Sequence, residues 1–308
     1  MKRKDFLKTM AAAGAAVATQ GMGGVDALAQ AEKTGNPDLV AVVGGEPDVM
    51  FQKAIAEFGG MGRFVKKGQK VTIKPNIGWD KAPELAANTN PILVKEMVKQ
   101  ALEAGASEVV VFDHTCDDWR KCYPNSGIEK AVIDAGGKML PADNERYYRE
   151  VEFPAGKMLT KGLVHTAILD CDVWFNVPVL KTHGGARMTI SLKNLMGIVW
   201  DRRVFHGPNL QQFIADSCTL VKRPALNVVD AYRVLKANGP RGRSEADAVL
   251  TKGLFASPDI VAVDTAAVAF FNQVAKMPID EVEHIAFAQD LKLGTMDLDK
   301  LNIKRIRA

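Results

Sequence analysis

From residue 39 onward, short apolar runs alternate with longer stretches of helical period. Residues 39–43, 69–74 and 108–113 are compact, Val- and Ile-rich segments of strand length. Between them, 48–58 and 91–104 repeat apolar residues at helical spacing, the second with Gly105 placed as its C-terminal stop. A further helix over 127–135 ends at Gly136-Gly137. A polar patch over 143–150 leads to a short strand or hairpin around 151–153, and 163–169 reads as helical. The run 173–179 is apolar apart from Asn176 and Pro178, the mark of a strand buried on both faces, with the proline near its end. The pattern then predicts a helix over 210–221, strands over 225–230 and 253–256, a buried Ala/Val-rich helix over 260–274, a last helix over 281–289 and a C-terminal strand.

Strands separated by helices predict an α/β fold with a mainly parallel, Rossmann-like sheet flanked by helices. The length of 308 residues allows one domain over 30–308 or two intimately packed lobes, with a seam or insertion near 143–161. In such sheets the site lies beyond the carboxyl ends of the strands, where the crossover loops open. Those ends carry Lys74 and Asn76, Asp113 and His114, Lys181 and His183, and Asp230.

The richest stretch is 172–197. Its apolar strand delivers Lys181, Thr182 and His183 into a Gly184-Gly185 turn, and Thr189, Ser191, Lys193 and Asn194 follow before Gly197. Lysine is seldom buried without a partner. Lys181 and Lys193 in apolar surroundings therefore read as a base or nucleophile of lowered pKa, or with Lys74 as an anion pocket. Surface exposure is the competing account, most of all for Lys193. His183 and His206 are proton carriers or metal ligands, and with Asp113 and Asp230 they form the candidate set for a divalent metal. His114 either joins that cluster or caps a loop, while His165 and His284 read as structural. Asn76, Asn90, Thr189 and Asn194 are candidate ligand-binding groups, with a helix cap as the alternative for Thr189 and a turn for Asn76 and Asn90. Asp259 is placed to cap the helix after it, and the basic loop 239–243 reads as exposed, with reach to an anion as the alternative.

Composition changes this picture little. A formal net charge of +4, with no basic block interleaved with aromatics, argues against nucleic acid. The four cysteines form no C-x-x-C, so there is no ferredoxin-type cluster motif. Cys116 and Cys122 could pair in an oxidising compartment, whereas Cys171 and Cys218 read as buried thiols. There is no G-x-S-x-G elbow, and Gly44-Gly45 lacks the rest of a nicotinamide-binding fingerprint.

The head of the chain does matter. Residues 1–8 are basic, 9–24 weakly apolar, and Ala27-Leu28-Ala29 is a small-x-small cleavage site. Residues 1–29 therefore predict an export signal and a periplasmic or otherwise exported protein with no membrane span in its mature part. Removing that segment's four basic and two acidic side chains lowers the net charge from +4 to +2. The string Arg3-Lys4-Asp5-Phe6-Leu7-Lys8 resembles the twin-arginine signal, with lysine at the second arginine; that resemblance implies folding before export, often around a cofactor.

Several motifs carry a wider resemblance: Lys74-Pro75-Asn76, Thr89-Asn90-Pro91, the string from Asn176 to His183, the string from Thr189 to Gly197, His206, Asp230 with Gly239-Pro240, and Ser257-x-Asp259 with Asp264. Together they resemble the family numbered 362 among the domains of unknown function, over about residues 40–295. Many members carry an export signal or a fused ferredoxin-type domain, and this chain lacks the cysteine-rich motif of the latter. A fainter likeness, of fold alone, is to the nickel-pincer lactate racemases.

Two functional expectations follow. The first is an exported enzyme acting on a small anionic or oxygen-rich molecule: Lys181 and Lys193 fix it, His183 or His206 moves a proton, and Asp113 or Asp230 orients the histidine or holds a metal. The second is a non-catalytic periplasmic metal- or cofactor-binding protein serving electron transfer.

Overall fold

A computed structural model describes residues 35–308; the expected export signal lies outside them. Strand β1 (Leu39–Val43) leads into α1 (Pro47–Glu57), and β2 (Lys70–Pro75) into α2 (Pro91–Glu103). After β3 (Glu108–Val111) come α3 (Trp119–Asn125), α4 (Ile128–Asp134) and the short β4 (Lys138–Met139). An excursion follows, made of β5 (Tyr148–Glu152), β6 (Lys161–His165) and the single turn α5 (Thr166–Leu169). The chain returns with β7 (Val173–Val177), β8 (Val179–His183), β9 (Arg187–Thr189) and α6 (Ser191–Asn194). It closes with α7 (Leu210–Ser217), β10 (Leu226–Leu235), β11 (Ala248–Ser257), α8 (Ile260–Phe271), α9 (Glu283–Asp290) and β12 (Ile303–Arg307).

The main sheet runs β12-β1-β11-β10-β7-β2-β3-β4, with β8 and β9 attached beside β10. Along this path β11 is antiparallel to both its neighbours and the remaining pairs are parallel, so the expected α/β architecture holds. Strand residues alternate between two cores, because successive side chains of a strand leave on opposite faces. Val40, Val42, Val71, Ile73, Phe175 and Val177 pack with α1 to α4. Leu39, Ala41, Trp174, Val229 and Phe255 pack with α7 to α9. Helix α8 is buried along all twelve of its residues, as its Ala/Val composition requires, and Asp259 caps it by accepting from the Val261 and Ala262 amides.

Three segments depart from the sequence pattern. Residues 163–165 are the end of β6 and only 166–169 form a helical turn, which makes His165 the cap of that turn and not a helix-interior residue. The apolar content that suggests a helix here belongs to a half-buried hairpin strand paired with β5. The central run breaks at Pro178: β7 pairs with β2 and β10, and β8 then pairs with β10 and β9. Proline has no N–H for the ladder, so the strand is interrupted there. In consequence Lys181, Thr182 and His183 lie in a strand, and the turn begins at Gly184. The helix α3 is an element the apolar pattern does not announce. Among the described residues no helix is long and apolar enough to cross a membrane.

The short α6 is held from behind. Asp264 of α8 accepts from the Ser191 and Leu192 amides at 2.8 and 2.9 Å, satisfying N–H groups that a helix start leaves open. Asp264 is fully buried, so Asp264→Ala should strand both donors and cost about 1–3 kcal/mol. Urea unfolding measures this, and a variant as stable as the wild type would remove the anchoring role.

Candidate functional site

A cavity of about 620 Å³ opens where β2, β3 and β8 end. Its floor is built from the chain's own order. Lys74 is the penultimate residue of β2 and Asp113 follows β3, and because these strands are parallel neighbours their ends bring ammonium and carboxylate together. The pair lies at 2.7 Å with both side chains buried. Lys74 also donates to the Pro75 carbonyl at 2.8 Å and to Asn194 Oδ1 at 2.9 Å. Burial pushes the Lys74 pKa down, and Asp113 opposes that shift. The other carboxylate oxygen of Asp113 accepts from the Ile77 amide at 2.7 Å. Gly197 closes over the pair: a Cβ there would lie 2.2 Å from Asp113 Oδ1 and 2.6 Å from Lys74 Nζ.

Lys181 is 1% exposed and has no carboxylate. Its ammonium donates to Asn76 Oδ1 at 2.7 Å and to the Ala87 carbonyl. Burial brings its pKa down to about 7. Lys193, on α6, is half-buried and meets no hydrogen-bonding or ionic partner among the described residues. Burial, reinforced by Arg202 and Lys74, lowers it to about 8.

A row of side-chain amides underlies these lysines. Asn76 Nδ2 donates to Asn194 Oδ1 at 3.0 Å, and Asn194 Nδ2 to Asn176 Oδ1 at 2.8 Å. Asn176 Nδ2 then donates to Asn227 Oδ1 at 2.9 Å, and Asn227 Nδ2 to the Ser257 carbonyl at 3.2 Å. Every amide oxygen thus points toward the lysine end and every NH2 group away from it.

His183, on β8, accepts the Ala186 N–H at Nδ1 (3.2 Å), and burial together with Lys193 and Lys181 lowers its pKa to about 3. Thr189 is buried and lines the same cavity. His206 is on the exposed rim, with Nδ1 2.9 Å from the Arg202 carbonyl. Arg202 is itself clamped, donating to the His114 and Thr115 carbonyls at 2.7 Å each. Trp79, Met196 and Trp200 supply apolar wall.

Of the residues singled out in the sequence, Lys74, Asn76, Asp113, His114, Lys181, His183, Thr189, Lys193, Asn194 and His206 line this one cavity. Asn90 and Asp230 do not. Asn90 caps α2 by accepting from the Ile92 amide, and Asp230, buried, accepts from the Asn90 and Tyr232 amides at 2.7 and 3.0 Å. Their polar atoms are spent on backbone, and Asp230 lies inside β10, which runs to Leu235, and not at the strand end that the apolar run over 225–230 suggests. The metal candidates do not converge either. Asp113 is engaged by Lys74, Asp230 is elsewhere, and among the described residues no three His, Cys, Asp or Glu side chains gather to hold an ion. All four cysteines are free thiols; Cys122 is buried, and Cys116 is exposed at the cavity beside Arg202. Trp79, Trp200 and Arg202 are lining residues without a sequence signal, the first two in loops and Arg202 at the start of a short 3-10 turn, all outside any apolar period. In the 239–243 loop, Pro240 lines the cavity and Arg241 lies over Trp79 while pairing with Asp117 at 3.2 Å.

Fold and site together define an α/β protein that gathers lysines in a largely buried polar cavity at the carboxyl edge of its sheet. The chain belongs to the DUF362 family, a domain of unknown function, whose model matches residues 71–269, from β2 into α8. A relative, the thylakoid-associated protein sll1697 of Synechocystis sp., is 28% identical over 220 residues, 67% of this chain and 64% of that protein. The chain thus spans a little under two thirds of that relative's length. Among solved structures, the lactate racemase apoprotein from Thermoanaerobacterium thermosaccharolyticum is similar with a TM-score of 0.41 at 10% identity, over 70% of this chain and 53% of that one.

Two outcomes are expected. Asp113→Asn leaves the Lys74 charge buried without its counter-ion and should cost about 3–5 kcal/mol, much of it regained when Lys74→Met is added. Urea melts of the single and double variants measure this, and simple additivity would show that the pair is not coupled. Lys181, at about 7 in the fold against 10.5 unfolded, binds fewer protons folded than unfolded between those values. Stability of the free protein should therefore rise with pH across that window, and the full cost of the buried charge applies below pH 7. Lys181→Met should be more stable than wild type at pH 6, with the gap closing by pH 10; a gap that stays constant would mean Lys181 titrates normally.

Proposed function

We propose that the protein is an enzyme acting on a small, anionic, oxygen-rich molecule held by Lys181 and Lys193. The charge balance of the cavity carries this reading: three lysines share one buried carboxylate, and Lys74 occupies it. Lys181 meets only neutral oxygens and Lys193 meets no partner among the described residues, so a bound carboxylate or phosphate would complete both. A lysine near pH 7 also takes or gives a proton readily at neutrality, which supports a catalytic role over simple retention. The apolar wall of Trp79, Met196 and Trp200 would keep water from the rest of the ligand.

Calorimetric titration of the whole chain with inorganic phosphate and with succinate tests the anion site. At least one should bind, and Lys181→Met or Lys193→Met should each weaken it by about tenfold or more. Affinity should also fall as pH rises through about 7 to 8, where the two ammoniums lose their protons. NMR of a metabolite extract incubated with the protein then separates enzyme from binder: consumption of an anion supports the enzyme, and binding without consumption favours the non-catalytic reading. Failure of both anions to bind would overturn the proposal.

A further inference from the structure

Two histidines of the cavity are held by the backbone in opposite ways. His114 Nδ1 lies 3.2 Å from the Val199 carbonyl, which can only accept, so Nδ1 carries the proton and the neutral ring presents a bare lone pair at Nε2. His183 Nδ1 faces the Ala186 N–H, which can only donate, so its proton sits on Nε2. No group among the described residues engages either Nε2, and neither atom is sealed from solvent. The His114 ring is fixed in orientation by Trp200, stacked at 5.0 Å and 5°. Burial keeps both rings neutral at physiological pH, His114 near 4 and His183 near 3.

The lone pair stands out in the interior of the cavity: His206, held at Nδ1 by the Arg202 carbonyl in the same way, and the Asp201 carboxylate are both on the exposed rim, where water meets them, and the acceptors farther in are taken. Asn76 Oδ1 is taken by Lys181, Asn194 Oδ1 by Lys74 and Asn76, and Asp113 by Lys74 and the Ile77 amide. Lys181, Lys193 and His183 all donate. An anion alone would satisfy those donors and leave His114 unmet.

We infer that His114 is a specificity-determining residue that accepts a hydrogen bond from a hydroxyl group of the bound anion, while His183 donates to one of its oxygens. The ligand class is therefore a hydroxylated carboxylate or phosphate. An ammonium-bearing ligand would also supply a donor, but three lysines and two arginines line the cavity against the two carboxylates Asp113 and Asp201, and that excess of positive charge repels it. The inference rests on the anion site proposed above and narrows what that site takes.

Matched probes differing only in hydroxyl groups test it: glycerate against propanoate, and glycerol 3-phosphate against propyl phosphate, each titrated into the full chain. The hydroxylated member of the preferred pair should bind about tenfold more tightly in the wild type. His114→Asn keeps an N–H for the Val199 carbonyl and removes the Nε2 lone pair. It should bring that ratio close to one while leaving the affinity for the deoxy member unchanged. His183→Asn keeps an acceptor for Ala186 but its shorter amide withdraws the donor from the Nε2 position, so it should weaken both members alike. Nitrogen-15 NMR of the wild type provides a reading independent of any variant, with opposite tautomers expected at His114 and His183. The same tautomer at both, or deoxy anions binding as tightly as hydroxylated ones, would overturn this inference and leave the lysine site standing. Binding of none of the four probes would overturn both.

Discussion

Keeping ammonium groups out of water is the constraint on which this site depends. A buried lysine is tolerable only where oxygens replace its hydration, and the chain meets that demand at Lys74 with a carboxylate, a peptide carbonyl and a side-chain amide. Parallel pairing of β2 with β3 sets the first of these, since it lands both residues at the same edge. Gly197 permits the closest approach, lying so near the ion pair that no side chain fits between. Lys181 is treated differently. It receives neutral oxygens alone, and this difference divides a structural cation from one available to a ligand.

The interruption at Pro178 matters for the same reason. An unbroken strand would send successive side chains to alternate faces of the main sheet, into two apolar cores. Splitting the run detaches β8 from β2 and pairs it with β9 beside β10, so Lys181 leaves the cores for the cavity. The α6 turn, which carries Lys193 and Asn194, is then steadied by a carboxylate on α8, on the far side of that segment. Position in the site therefore comes from two residues, Pro178 and Asp264, that do not line it.

Much of the architecture is legible in the sequence, because apolar periodicity reports burial and burial follows the sheet. Polar residues at successive strand ends likewise mark the carboxyl edge, where Lys74, Asp113, Lys181 and His183 line one cavity. Burial pattern fails where it has two causes. The 163–165 segment is apolar since it is a hairpin strand, not a helix. Asp230 looks like Asp113 in sequence, each being a carboxylate where an apolar run stops, yet β10 runs on to Leu235 and the Asp230 oxygens satisfy two backbone amides. Trp200 and Arg202 belong to no periodic segment, and only the folded chain brings them to Lys193 and His114.

The amide row from Asn76 to Asn227 has a sense of direction. Turning over any one carboxamide would set oxygen against oxygen at one joint and N–H against N–H at the next, so the row can reverse only as a whole. Ammonium groups hold it at one end and the Ser257 carbonyl at the other. Ser257 closes β11, a strand that contributes nothing to the cavity wall. Which atoms the lysines find waiting for them is thus settled jointly by their own charge and by a peptide group four side chains away.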